Sequence, residues 1–156
     1  MAARIALGKP VPSFKLPATG GGTWSPADAK GSAVVLYFYP RDNTPGCTQE
    51  GQDFAAAVPA LRKAGAVVLG VSADSLESHE KFKAKMGFPF ELLADADQKV
   101  CKLFDVIREK SMYGKKFLGI ERSTFLIDAK GVLRQEWRKV KVSGHAAAVL
   151  AAVKAL

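Results

Sequence analysis

The most continuous apolar stretch of the chain is Ala33-Val34-Val35-Leu36-Tyr37-Phe38-Tyr39. Its β-branched and aromatic residues, with no polar alternation, predict a strand buried on both faces and so central in a sheet. Pro40 ends it, because proline cannot donate to a ladder, and Asp42 to Gly46 supplies a turn. Beyond the turn the apolar residues Phe54, Ala57, Val58 and Leu61 fall at helical spacing. Thr44 suits the N-cap of that helix and Pro45 its first position, which puts Cys47 in the first turn. Pro59 predicts a kink, Arg62 and Lys63 complement the negative end of the helix dipole, and Gly65 is placed to terminate it.

The pattern then switches repeatedly between strand and helix. Ala66 to Val71 reads as a second buried strand, Leu76 to Met86 as an amphipathic helix, Phe90 to Leu93 as a short strand, and Asp97 to Phe104 as a short helix. Ser123 to Asp128, the turn Ala129-Lys130-Gly131 and Val132 to Trp137 read as an antiparallel pair. His145 to Leu156 is an alanine-rich helix, and Gly20-Gly21-Gly22 forms the tip of a loop near an edge hairpin. Strands alternating with helices, then a hairpin and a helix, indicate a three-layer α/β domain. Its central mixed β-sheet is flanked by helices and carries an N-terminal β-hairpin extension. That order is compatible with a thioredoxin-like fold.

At 156 residues and 48% hydrophobic, the chain suits one domain spanning 1–156. No uncharged apolar run is long enough to cross a membrane, and the opening MAARIALGKPVP lacks the apolar core of a secretory signal. The expectation is a cytoplasmic protein without a membrane partner. The net charge of +8 raises the question of a polyanionic partner. The basic residues are interspersed with acids, as in HEKFKAKMG and IREKSMYGKK, without an aromatic platform, so nucleic acid is not the expected target.

Candidate chemistry centres on one residue. A cysteine in the first turn of a helix meets unpaired N–H groups and the positive end of the dipole, which favour thiolate over thiol. The thiolate is the nucleophile, so Cys47 could attack an electrophilic oxygen or sulfur; the plain alternative is a small core residue. A disulfide reductase would need a second thiol at position 50, where Glu50 stands. Cys47, Cys101, His79 and His145 lack the paired spacing of zinc ligands, and both histidines read as exposed helix residues, so no metal is expected. Gly20-Gly21-Gly22 is not followed by the Lys-Ser or Lys-Thr of a phosphate loop, and no cofactor motif is present.

Pro40-Arg41-Asp42-Asn43-Thr44-Pro45-Gly46-Cys47 resembles the active-site signature of the peroxiredoxins. The longer string from Tyr37 to Thr48 is similar to the bacterioferritin comigratory protein branch, the Q-type peroxiredoxins. Val68 to Ser72, Leu92 to Asp95 and Arg122 to Asp128 match in the same order. The resemblance implies a thioredoxin fold and a peroxidase that reduces hydrogen peroxide and organic hydroperoxides, helping to maintain redox homeostasis. It implies Cys47 as the peroxidatic nucleophile, which becomes a sulfenic acid. Thr44 would orient the peroxide, besides its capping role. Arg122, otherwise a surface residue opening a strand, would be the fixed cation that supports the thiolate and the leaving oxygen. Pro40 would shield the cysteine from water as well as ending its strand. Glu50 and Tyr39 are candidate pocket residues, with dipole stabilisation for Glu50 and ring packing for Tyr39 as the plain alternatives.

Many relatives of this branch carry a resolving cysteine five residues after the first, or on the next long helix. Here those places hold Gln52 and Glu80 to Met86, without a cysteine. Cys101 remains, flanked by Val100, Leu103 and Phe104 as a core cysteine would be. The main expectation is a single-cysteine cycle closed by an external thiol: thioredoxin, glutaredoxin or glutathione. The alternative is a Cys47–Cys101 disulfide. The expected protein is a monomer, and its charge could steer an acidic reductase.

Overall fold

The computed structural model describes residues 4–156, so the first three positions of the N-terminal stretch read above lie outside it. The apolar run becomes β3 (Ala33–Phe38), the centre of a seven-stranded sheet. With β1 (Leu16–Ala18), β2 (Gly22–Trp24), β4 (Ala66–Ser72), β5 (Glu91–Ala94), β8 (Ser123–Ile127) and β9 (Leu133–Trp137), the order is β2-β1-β5-β4-β3-β8-β9. β3, β4 and β5 are parallel, β8 runs antiparallel to β3, and β9 runs antiparallel to β8. The N-terminal hairpin is joined to the sheet rather than appended to it, since Ala18 pairs with Leu93 of β5.

Strand alternation divides the interior into two cores. Val35, Tyr37 and Tyr39 face one side, under α1 (Pro45–Lys63), α2 (Leu76–Met86) and α4 (His145–Lys154). Val34, Leu36 and Phe38 face the other, against α3 (Lys99–Leu103), Phe104, Val106 and Ile120. Helix α1 runs unbroken through Pro59, and Gly65 follows it with a positive φ. Helix α2 starts with Ser75 accepting from the Ser78 amide and ends on Gly87 in the left-handed region, as caps should.

The sequence reading does not predict one hairpin. β6 (Ile107–Met112) and β7 (Lys115–Ile120) form a separate antiparallel hairpin, mostly exposed on both faces, within the stretch that reads as scattered charge.

Candidate active site

Two features of the sheet bring the site together. Helix α1 begins just beyond the carboxyl end of β3, which delivers Cys47 to that end of the sheet. β8 pairs antiparallel with β3 in the register Phe38↔Ser123, so Arg122, one residue before β8, lies beside the end of β3. Residues 75 apart thereby meet: Arg122 Nη2 donates to Cys47 Sγ at 3.4 Å. Its other nitrogen, Nη1, donates to Glu50 Oε1 at 2.7 Å. Gly46 makes room for this bridge, because a Cβ there would stand 3.1 Å from Arg122 Nη2.

The thiol is 2% exposed and belongs to the core beneath α1. Glu50, three residues on, is also buried, and its second oxygen, Oε2, has no hydrogen-bond partner. Burial pushes its carboxyl up to about 7, against the pull of the Arg122 charge and hydrogen bond. Glu50 thus shares the Arg122 guanidinium with Cys47. The guanidinium, although burial opposes its charge, is held above its ordinary value by Glu50 and Cys47.

Thr44 is the N-cap, with extended backbone, but its hydroxyl does not accept from a helix amide as expected. It donates to the Arg41 carbonyl at 3.0 Å, which commits the proton and leaves the oxygen as an acceptor. Pro40 is half-buried at the turn out of β3.

Tyr39 does not line the pocket with its hydroxyl. The hydroxyl donates to Asp42 Oδ1 at 2.5 Å, and its ring is buried. Tyr37, which sequence reasoning missed, stacks on Phe54 with centroids 4.7 Å apart. Burial, then the charges of Glu50, Cys47 and Asp42, hold its phenol well above the ordinary value, so it stays neutral beside the site.

Both histidines overturn the reading of exposed helix residues. His79 is 0% exposed: Nδ1 lies 2.7 Å from Asp42 Oδ2 and Nε2 lies 2.9 Å from the Leu93 carbonyl. Both ring nitrogens face acceptors, an arrangement a doubly protonated ring satisfies. Asp42 also accepts from Ser78, and its amide donates to Asp74. Burial raises the Asp42 carboxyl, but hydrogen bonds from His79, Tyr39 and Ser78 and the His79 charge outweigh it and hold it below the ordinary value. Asp42, Asp74 and His79 lie close enough together to be metal ligands, yet the Asp42 and His79 atoms are engaged in these bonds. The cluster pins the loop before Cys47 to α2. His145, at the start of α4, is buried against Thr124 at 2.8 Å; burial and the Arg122 charge lower it to about 4.

Cys101 is in the core, as its flanks suggest, with its amide donating to Asp95 Oδ2 at 2.6 Å. Burial and the Asp95 charge push its thiol far up. It belongs to the core opposite that of Cys47. A cavity of about 920 Å³ lies on that opposite side, between the N-terminal segment and α3, and contains none of the residues around Cys47.

A buried sulfur held by a helix start and a fixed guanidinium, with an acceptor hydroxyl nearby, suits nucleophilic attack on a small neutral substrate. Comparison with known proteins gives the family. The chain is 57% identical over 148 residues to peroxiredoxin Bcp of Xanthomonas campestris pv. campestris, covering 94% of this chain and 92% of that one. It is 48% identical over 150 residues to peroxiredoxin Bcp of Bacillus subtilis, covering 96% of each. A solved structure of Xanthomonas campestris peroxiredoxin Q superposes with a TM-score of 0.87 at 56% identity, over 91% of this chain and 90% of that one. One of Xylella fastidiosa PrxQ gives 0.91 at 44%, over 99% and 98%. The fold is therefore the thioredoxin-like one. The AhpC/TSA family model matches residues 7–136. With that match and these relatives, the chain belongs to the AhpC/TSA family, as a thiol-dependent peroxidase of the Bcp, or Q, type of peroxiredoxin.

Proposed function

We propose that Cys47 is the peroxidatic residue and that the enzyme completes its cycle with this one cysteine. The observation that carries the proposal is the Arg122 bridge from Cys47 Sγ to Glu50. The thiolate attacks the terminal oxygen of a hydroperoxide, forming the S–O bond as the O–O bond breaks. The leaving oxygen takes a proton and departs as water or alcohol, and Cys47 is left as sulfenic acid. Arg122 keeps its charge throughout and stabilises both the thiolate and the leaving oxygen. Thr44 accepts from the peroxide hydroxyl, and Pro40 limits access by water.

An external thiol then attacks the sulfenic sulfur, releasing water and forming a mixed disulfide, which a second thiol cleaves to return Cys47. Thioredoxin, glutaredoxin and glutathione are the reductants considered. The position of Cys101 across the sheet supports this cycle over a Cys47–Cys101 disulfide, which requires Cα atoms within about 7 Å. Because Cys47 is so thoroughly buried, reduction also requires the first turn of α1 to loosen. Both hydrogen peroxide and organic hydroperoxides are proposed substrates. The alkyl peroxide reduction activity of the Xanthomonas campestris bacterioferritin comigratory protein, a relative at 56% identity, supports the second class. We place the enzyme in the cytoplasm as a single-domain monomer serving redox homeostasis, without a nucleic-acid partner; no described helix is long and apolar enough to cross a membrane.

The test is the intact mass of the reduced protein before and after one equivalent of hydrogen peroxide, with a sulfenic-acid trap. One added oxygen, trapped at Cys47 with Cys101 still a thiol, is expected. Loss of two hydrogens would replace the single-cysteine cycle with the disulfide one.

A further inference from the structure

The β6–β7 hairpin stands outside the main sheet, and its two faces differ. In the register Arg108↔Gly119, Lys110↔Phe117 and Met112↔Lys115, these six side-chain positions share one face. That face holds no acidic residue, and Lys115, Phe117 and Met112 are exposed. Glu109 lies on the other face, where it holds Lys116 at 3.6 Å. Arg108 is engaged by Asp105 and Glu121, which leaves Lys110 and Lys115 as the cations flanking the Phe117 ring.

Through Lys110 this face also reaches the strand end that carries Arg122. Lys110 folds across Gly119, where a Cβ would stand 3.1 Å from its Cδ and 3.5 Å from the Phe117 ring, and its Nζ donates to the Ile120 carbonyl. There the ammonium lies within the fields of both Arg122 and Cys47. A large apolar ring between lysines, on a hairpin whose Lys110 is bound to the carbonyl two residues before Arg122, has the composition of a protein-docking patch with an anionic partner.

We propose that this face of the hairpin docks an acidic protein dithiol that reduces oxidised Cys47, a proposal that rests on the single-cysteine reading. A second copy of the chain is a poor occupant. A two-fold interface through this face would set Lys110 and Lys115 against their own copies with no carboxylate on the face to offset them, in a chain that already carries +8.

The test compares reduction by a thioredoxin of net negative charge with reduction by dithiothreitol, following peroxide consumption by the full chain. The Lys115→Glu/Phe117→Ser double variant is set beside a control on the other face, Lys116→Glu/Leu118→Ser. The ratio of kcat/KM with thioredoxin to that with dithiothreitol is expected to fall about ten-fold or more in the first variant and to hold within about two-fold in the control. In the wild type the thioredoxin reaction alone should slow steeply with added salt. An unchanged ratio in the first variant, or an equal fall in both, overturns the docking face. So does a wild-type dimer that the first variant dissociates in sedimentation velocity, since the face then belongs to a second copy. A wild-type chain that forms no sulfenic acid at Cys47 overturns both proposals, an outcome the mass measurement separates from the others.

Discussion

Cys47 and Cys101 pack on opposite sides of the same sheet, Cys47 with Tyr37 and Tyr39 and Cys101 with Leu36 and Phe38. Alternate residues of one strand run thus serve both cysteines without bringing them together. Cys101→Ser is expected to turn over with an external thiol within about two-fold of wild type, whereas a loss of about ten-fold in a folded variant would sink the single-cysteine cycle. The same variant should lose about 1–3 kcal/mol in urea unfolding, because a hydroxyl enters an apolar site.

Arg122 carries two duties, and its substitution separates them. Arg122→Ala is expected to slow Cys47 oxidation by hydrogen peroxide about 10²–10³-fold in stopped flow, the scale of losing one charged transition-state donor. Arg122→Lys keeps the charge but cannot hold Sγ and Oε1 at once, so its rate should fall between the two. A wild-type rate in Arg122→Ala would remove the residue from the mechanism.

Glu50 and His145 titrate in the same acid window with opposite effects on stability. Glu50 rises from 4.5 to about 7 on folding, so the native state binds the extra proton and stability falls as pH climbs across that interval. His145 drops from 6.5 to about 4, so its contribution is present above 6.5 and lost as pH falls toward 4. Each slope integrates to about 3 kcal/mol, and in the wild type they largely cancel. Urea midpoints between pH 4 and 7 are therefore expected to rise more steeply with pH in Glu50→Gln, to fall with pH in His145→Gln, and to resemble wild type in the double variant. Parallel profiles for the two single variants would show that these groups do not titrate as described.

Asp42 collects hydrogen bonds from Tyr39, Ser78 and His79, so the loop before Cys47 is fastened to α2. Asp42→Asn leaves His79 buried without its counter-ion and should cost about 3–5 kcal/mol. Amides of residues 41–48 are expected to exchange faster with deuterium than in the wild type, beyond the global loss. With its carboxyl held below the ordinary value, Asp42 adds stability above the usual carboxylate range, and this is lost as pH falls through the folded value.

Gly51 faces the Phe88 ring so closely that a Cβ would stand 2.4 Å from its Cζ. Gly51→Ala should gain helix propensity on paper yet lose about 1–3 kcal/mol by overpacking. A thermal melt at or above the wild-type midpoint would mean that Phe88 moves aside readily.

What could be read from the sequence follows from how local each signal is. β3 and α1 announce themselves because an unbroken apolar run and a turn-capped helix need no distant partner, and the motif around Cys47 is contiguous. The β6–β7 hairpin hides because its strands are lysine-rich and exposed on both faces, so neither shows the apolar alternation of a half-buried strand. The histidines mislead for the opposite reason. A His on a polar helix, such as His79, or at a helix start, such as His145, reads as solvent-facing until Asp42, Leu93 or Thr124 arrives from elsewhere in the chain to satisfy it. The Arg122 assignment came from the resemblance alone; composition and spacing do not reveal that a strand register places it on a sulfur 75 residues away.

The meeting of Cys47 with Arg122 also bears on how the protein comes into being. Synthesis runs from the N-terminus, so Cys47 leaves the ribosome long before Arg122, and for that interval the nascent thiol lacks the guanidinium that contacts it in the folded chain. On the mechanism proposed above, peroxide chemistry at Cys47 waits on the pairing of β8 against β3, and a product cut short before residue 122 would carry the motif without the cation that this mechanism uses.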